Sequence, residues 1–240
     1  MVVIRSISIG PEFDDLPDDT EETLVGSSNH QGAIVAAYGG LQICAQRRGL
    51  PWFVGNQLTL LIHQEGRERP RRIAPDLMVY PTLGITEPIT LAVSLHGPPT
   101  LAIEIASPST AMDNDVNLFG PAAKPRLYAS IGVEEYLVFD PTGAMLDAPI
   151  WAQHRGPDGF TPWLADADGR WHSTLGVSFA PQGSLLRVYD HEGRLVPLST
   201  EFDAMLTARE REAAARDQRL AAQDQRLAEL EAELRCLRGE

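Results

Sequence analysis

Two acids and one amine in this sequence are spaced so that they could act on a common target. The segments "RRIAPDLMVYP" (residues 71–81) and "TLAIEIAS" (residues 100–107) both read as short β-strands, rich in aliphatic and β-branched residues. Side chains alternate faces along a strand. In the second segment Leu101, Ile103 and Ile105 therefore point one way, and Ala102, Glu104 and Ala106 the other. In the first, Ile73, Leu77 and Val79 share one face and Ala74, Asp76 and Met78 the opposite one. If these strands pair with matching faces, Asp76 and Glu104 converge in a pocket made roomy by alanines. Two carboxylates on a half-buried sheet need a metal, a shared proton or a cation to neutralise them. The obvious cation is Lys124, the single lysine in a chain that otherwise writes every basic residue as arginine. Arginine would supply charge, but it does not give up a proton and its fork is no compact donor to a water. An isolated lysine therefore points to a need for an amine; the plain alternative is a neutral leftover of an arginine-biased composition.

These residues sit in a recognisable order: "APD" at 74–76, "AIEIASPST" at 102–110, then "KPRLYASIGVEEYLVFDP" at 124–141. In that order the sequence resembles the Uma-type family of bacterial proteins described as restriction endonucleases, which have a PD-(D/E)XK-like core. The resemblance covers roughly residues 29–200. It implies an α/β (α+β) fold with a restriction-endonuclease-like mixed central sheet flanked by helices. By the same resemblance Asp76 matches the Pro-Asp acid and Glu104 the strand acid. Ala106 stands where the general nuclease pattern has lysine, and Lys124 matches the place from which this family returns one. The implied chemistry is metal-assisted hydrolysis of phosphodiester bonds in DNA. Asp76, Glu104 and the main-chain carbonyl of Ile105 would hold Mg²⁺ or Mn²⁺, with Lys124 orienting the attacking water. Asp113 matches an acid that follows Ser-Pro-Ser-Thr in the family. Pro125 predicts that Lys124 lies at or just outside the start of its helix. Where the family carries an acid on a helix ahead of the core strands, this chain has His30, which reads as a surface helix cap, with a third metal ligand as the alternative.

The elements that must position these groups follow from periodicity. A helix is predicted over residues 29–49, with Gly39 and Gly40 weakening its middle. Strands are predicted over residues 56–64, 71–81, 101–106 and 134–140, and a helix over residues 122–130. Further β-structure is predicted around residues 149–163, 171–179 and 185–189. Ser107 and Ser109 read as turn and cap groups, since no histidine or nucleophile elbow accompanies them. Trp52, Trp151, Trp163 and Trp171 read as packing residues. The histidines lack ligand spacing, and Cys44 and Cys236 read as free thiols.

The chain of 240 residues carries a formal net charge of -13, which argues against bulk electrostatic binding of nucleic acid. Charge is uneven: residues 31–75 hold six arginines against two acids, either a solvated hairpin with neighbouring loops or a phosphate-contacting rim. Residues 1–28 form an acidic, Pro-interrupted arm, residues 29–200 the domain proper, and residues 201–240 a Pro-free helix with a seven-residue repeat. Leu220, Leu227 and Leu234 fall at one heptad position and Leu230 and Leu237 at the other, a narrow seam for self-association or a protein partner. No run of eighteen apolar residues exists, and the expected location is cytoplasmic. Two functions are open on this reading. One is a metal-dependent nuclease; the other is a catalytically inactive module that acts through its acidic arm and heptad tail.

Overall fold

The helix predicted at the start of the domain forms as α1 (Ser28–Arg48). Arg47 and Arg48 occupy its last turn, where positive charge complements the helix dipole. It ends in a Schellman cap: Gly49 takes a left-handed φ of 61°, its N–H meets the Gln46 carbonyl at 3.1 Å, and the Leu50 N–H meets the Ala45 carbonyl at 2.9 Å. The two central glycines do not break it. Gly40 instead lets α1 lie against a strand, since a Cβ there would sit 2.7 Å from Val188. The structure, a computed structural model, describes residues 8–9, 28–83, 90–107, 124–157 and 159–238. Most of the acidic arm, Ser109 and Asp113 lie outside the described residues.

Thirteen strands follow in chain order among the described residues: β1 (Ser8–Ile9), β2 (Phe53–Asn56), β3 (Thr59–Gln64), β4 (Arg71–Ile73), β5 (Leu77–Tyr80), β6 (Thr90–Ala92), β7 (Leu101–Ile105), β8 (Glu135–Phe139), β9 (Ile150–Gly156), β10 (Gly159–Pro162), β11 (Trp171–His172), β12 (Ser178–Gln182) and β13 (Leu185–Tyr189). Short helices α2 (Val93–His96) and α3 (Lys124–Ile131) interrupt them. The main sheet has the order β10-β9-β8-β7-β5-β2 and is mixed, with β7 and β8 parallel and the other neighbours antiparallel. A smaller sheet joins β1, β3, β4 and β6, and a third joins β11, β12 and β13.

Both faces of the main sheet are covered, which is why β5, β7 and β8 are buried along their whole length. On one face Leu77, Val79, Leu101, Ile103 and Ile105 pack with Ile34, Leu41 and Cys44 of α1 and with Phe179 and Val188 of the third sheet. On the other, Met78, Ala102 and Ala106 pack with Leu127, Tyr128 and Ile131 of α3 and with Leu60, Ile62 and Ile73 of the small sheet. The alternation expected for residues 101–106 is the one observed.

The single strand expected over residues 71–81 is divided. Pro75 cannot donate to a ladder. Ile73 therefore ends β4 in the small sheet, while Leu77 opens β5 in the main one. Ile73 lies in the α3-side cluster and not with Leu77 and Val79. Similarly, residues 53–64 make two strands around Gln57, a non-glycine residue with φ of 50°. Trp163 is buried edge-on against Phe179, and Trp151 packs edge-on to Tyr136. Arg71 is buried with its Nε donating to Gln64 Oε1 at 3.0 Å, so it is no part of a surface rim.

The chain separates into two units, residues 1–196 and residues 197–240. The second unit is α4 (Ser199–Arg238), a helix of 40 residues whose start is closed by Glu201, which accepts the Leu198 N–H at 2.8 Å. Among the described residues no helix is long and apolar enough to cross a membrane.

Candidate active site

Glu104 is the fourth residue of β7 and belongs to the face that carries Ala102 and Ala106. Antiparallel pairing sets Leu77 against Ile103 and Met78 against Ala102. Continued one residue past the ladder, that register sets Asp76 opposite Glu104. The two acids thus come from neighbouring strands at one end of the sheet, and both are buried.

Each acid is held differently. Asp76 Oδ2 accepts the Ile105 backbone N–H at 2.8 Å, taking the place of a strand carbonyl where the ladder stops. The same oxygen lies 3.2 Å from His30 Nε2. Gln57 reaches Asp76 Oδ1 at 3.5 Å, the outer limit of a hydrogen bond, and its N–H meets the Asp76 carbonyl at 3.0 Å. Glu104 Oε1 accepts the Tyr128 hydroxyl at 2.8 Å and has the Lys124 ammonium at 3.4 Å.

The sequence explains why one carboxylate meets both groups. Lys124 and Tyr128 are four residues apart, so on α3 they lie one turn apart on the same face. Pro125 stands in the first turn, where its missing N–H costs nothing, and α3 begins at Lys124 itself. That start lets the side chain reach Glu104. The far end of α3 is another Schellman cap, with Gly132 at φ 100° and the Val133 N–H on the Tyr128 carbonyl at 3.0 Å. It delivers the chain into β8, which runs parallel to β7 and pairs Val138 with Glu104. The second glutamate of "GVEEY" has a separate use at the other end of β8. Glu135 accepts the Ser173 hydroxyl and, at 2.6 Å, the Thr174 N–H, which ties the loop ahead of β12 to the main sheet.

Of the residues singled out in the sequence, Glu104 and Lys124 are in contact, and Asp76 lies across the strand pair and is bonded to the backbone of Ile105. His30 is a correction. It is not a surface cap but a buried side chain on the Asp76 carboxylate, because the first turn of α1 passes over the strand ends instead of over solvent. Sequence reasoning missed Tyr128 and Gln57 as site residues. The four-residue spacing from Lys124 signalled the first; nothing in the sequence signalled the second, which depends on a left-handed turn.

Asp76 and Glu104 each bring a carboxylate, the oxygen donor that hard cations prefer. Among the described residues no three His, Cys, Asp or Glu side chains gather at metal-binding distances. An ion held by these two carboxylates would take the rest of its shell from water or substrate.

Comparison with known proteins bears on what this arrangement serves. A family model described as "Putative restriction endonuclease", Uma2, matches residues 23–149, more than half of the chain. The chain belongs to this family. The Uma2 match includes His30, Asp76, Glu104, Lys124 and Tyr128, while β9 to β13 and α4 lie beyond its end. Among solved structures the chain is similar to a protein described as "a putative nuclease belonging to DUF820" from Anabaena variabilis, at 14% identity and a TM-score of 0.37 over 78% of this chain and 87% of that one. No curated protein matches the sequence.

Proposed function

We propose that this member of the Uma2 family is a metal-dependent endonuclease that hydrolyses phosphodiester bonds in DNA. The observation that carries the reading is the register of β5 against β7, which sets Asp76 opposite Glu104 with the chain's one lysine 3.4 Å from Glu104. Asp76, Glu104 and the Ile105 carbonyl would hold Mg²⁺ or Mn²⁺. A divalent cation bound there supplies a water of lowered pKa and a counter-charge for the phosphate.

The remaining tasks fall to the protein. The Ile105 N–H and His30 fix the Asp76 carboxylate, and Tyr128 fixes that of Glu104, so neither acid has to be ordered when substrate arrives. Lys124 balances the buried Glu104 charge before a cation binds and, as a compact donor, holds the attacking oxygen in place. Its ammonium also offsets the negative charge that accumulates when phosphate approaches two carboxylates. Arginine at this position would keep the charge, but its broad fork would not fit between Glu104 and a water.

A cleavage assay tests this. Supercoiled plasmid and single-stranded DNA are incubated with Mg²⁺ or Mn²⁺ and wild type, Asp76→Asn, Glu104→Gln or Lys124→Ala. The reading predicts metal-dependent cleavage that falls on the order of a hundredfold or more in each variant. Cleavage equal to a mock purification, or unaltered in the three variants, overturns it in favour of a nuclease-fold module that acts by binding.

A further inference from the structure

In α4 the large side chains Leu206, Leu220, Leu227 and Leu234 are each about half exposed, separated by one or two heptads. With Leu220, Leu227 and Leu234 at position a, Leu230 and Leu237 fall at d. Toward the start of the helix the d positions are Arg209, Arg216 and Gln223, which no apolar seam buries well. An apolar partner surface is thus confined to the last third of the helix. The flanking positions carry a charge code. The g positions Arg219, Arg226 and Glu233 are each followed, five residues on, by an e position of opposite sign: Asp224, Glu231 and Arg238.

From this pattern we infer that α4 pairs with α4 of a second copy of this chain as a parallel, in-register coiled coil over residues 219–238. In a parallel pair each g residue faces the following e residue of the other helix, so all three sites are attractive, and each occurs twice by symmetry. An antiparallel pair sets e against e and g against g. In the antiparallel register that keeps the leucines in contact, Asp224 would face Glu231 while Arg226 would face Glu233, so repulsion cancels attraction where the parallel pair has attraction alone. Identical helices of this sequence therefore favour one orientation, and a foreign helix would have to reproduce the whole code. The inference stands on the tail alone and does not depend on the nuclease reading. Its consequence is that the two copies of residues 1–196 join their tails at the same end of the pair.

The test uses the full chain. Sedimentation at increasing concentration is expected to show a monomer–dimer equilibrium in the wild type, shifted to monomer by Leu220→Glu with Leu227→Glu. Orientation is read from Gln223→Cys in a Cys236→Ser background. Position d residues meet across a parallel pair, so mild oxidation is expected to crosslink this variant into a covalent dimer. Arg219→Glu and Asp224→Arg are each expected to weaken self-association and, when mixed, to form the heterodimer in preference to either homodimer. A wild type that stays monomeric at all concentrations overturns the inference. So does a dimer indifferent to the leucine changes, or one that forms while Gln223→Cys fails to crosslink.

Discussion

Glu104 is the residue on which the site turns, because it is buried and touches a hydroxyl and an ammonium through one oxygen. Removing one partner of a buried ion pair leaves an uncompensated charge, at a cost of about 3–5 kcal/mol. Lys124→Ala is accordingly expected to lower the denaturant midpoint as well as activity, and added Mg²⁺ is expected to restore more stability to this variant than to the wild type, since the cation takes over the neutralising role. Equal gains in the two proteins would separate Lys124 from the proposed metal site. Tyr128→Phe deletes the 2.8 Å hydrogen bond to Glu104. A bond to a charged group contributes about 1.5–3 kcal/mol. The variant is expected to lose roughly a factor of ten in cleavage, with its fold intact by circular dichroism. Cys44 is a contrasting case. Burial, aided by the negative charge of Asp190, pushes its thiol up to about 11. It is expected to resist alkylation at pH 8 in the folded protein and to react on unfolding, as read by mass spectrometry.

Elements set these residues in place, and their joints are where substitution tells most. Gly40→Ala drives a methyl into Val188, and overpacking of this kind costs about 1–3 kcal/mol against the gain of about 1 kcal/mol that alanine brings to a helix. A lower melting temperature is the expected result; a higher one would mean that α1 moves freely over β13. The turn after β8 is organised by Asp140, whose oxygens accept the N–H groups of Thr142, Gly143, Met145 and Leu146 and the Thr142 hydroxyl. Burial pushes this carboxyl up, but those donors outweigh it and hold it below the ordinary range. A depressed folded value means that the stabilisation is complete above the ordinary carboxylate range and is lost as pH falls through the lower folded value. Asp140→Ala should therefore lose about 2–3 kcal/mol at neutral pH and show a shallower decline in acid than the wild type, measured by urea denaturation at each pH.

The same elements mark what could be read from residues alone. Alternation placed Glu104 with Ala102 and Ala106 correctly, because β7 is regular and both its faces are covered. The Lys-x-x-x-Tyr spacing was equally legible once a helix was assigned. What failed to show was non-local. His30 is 46 residues from Asp76, and its burial depends on the crossing of α1 over the strand ends. The break at Pro75 was visible, but its effect, a change of sheet between Ile73 and Leu77, is a matter of tertiary competition that a propensity cannot express.

At the scale of the whole molecule, the acidic balance bears directly on the proposed cation site. A chain with net charge -13 would approach DNA against repulsion, and the Arg47, Arg48, Arg67, Arg69 and Arg72 region is the one local excess of positive charge in the domain sequence. On the proposed function, a divalent cation at the site would lower that repulsion where it matters, so cleavage is expected to be steeply metal-dependent. In the proposed function, Asp76 and Glu104 together form one cation site. Titration calorimetry of Mn²⁺ into wild type, Asp76→Asn and Glu104→Gln tests it most directly, with a thermal melt of each protein to certify the fold. The expected result is a single site in the wild type that weakens at least tenfold in both variants. Unchanged binding in either folded variant, or none in the wild type, would contradict it.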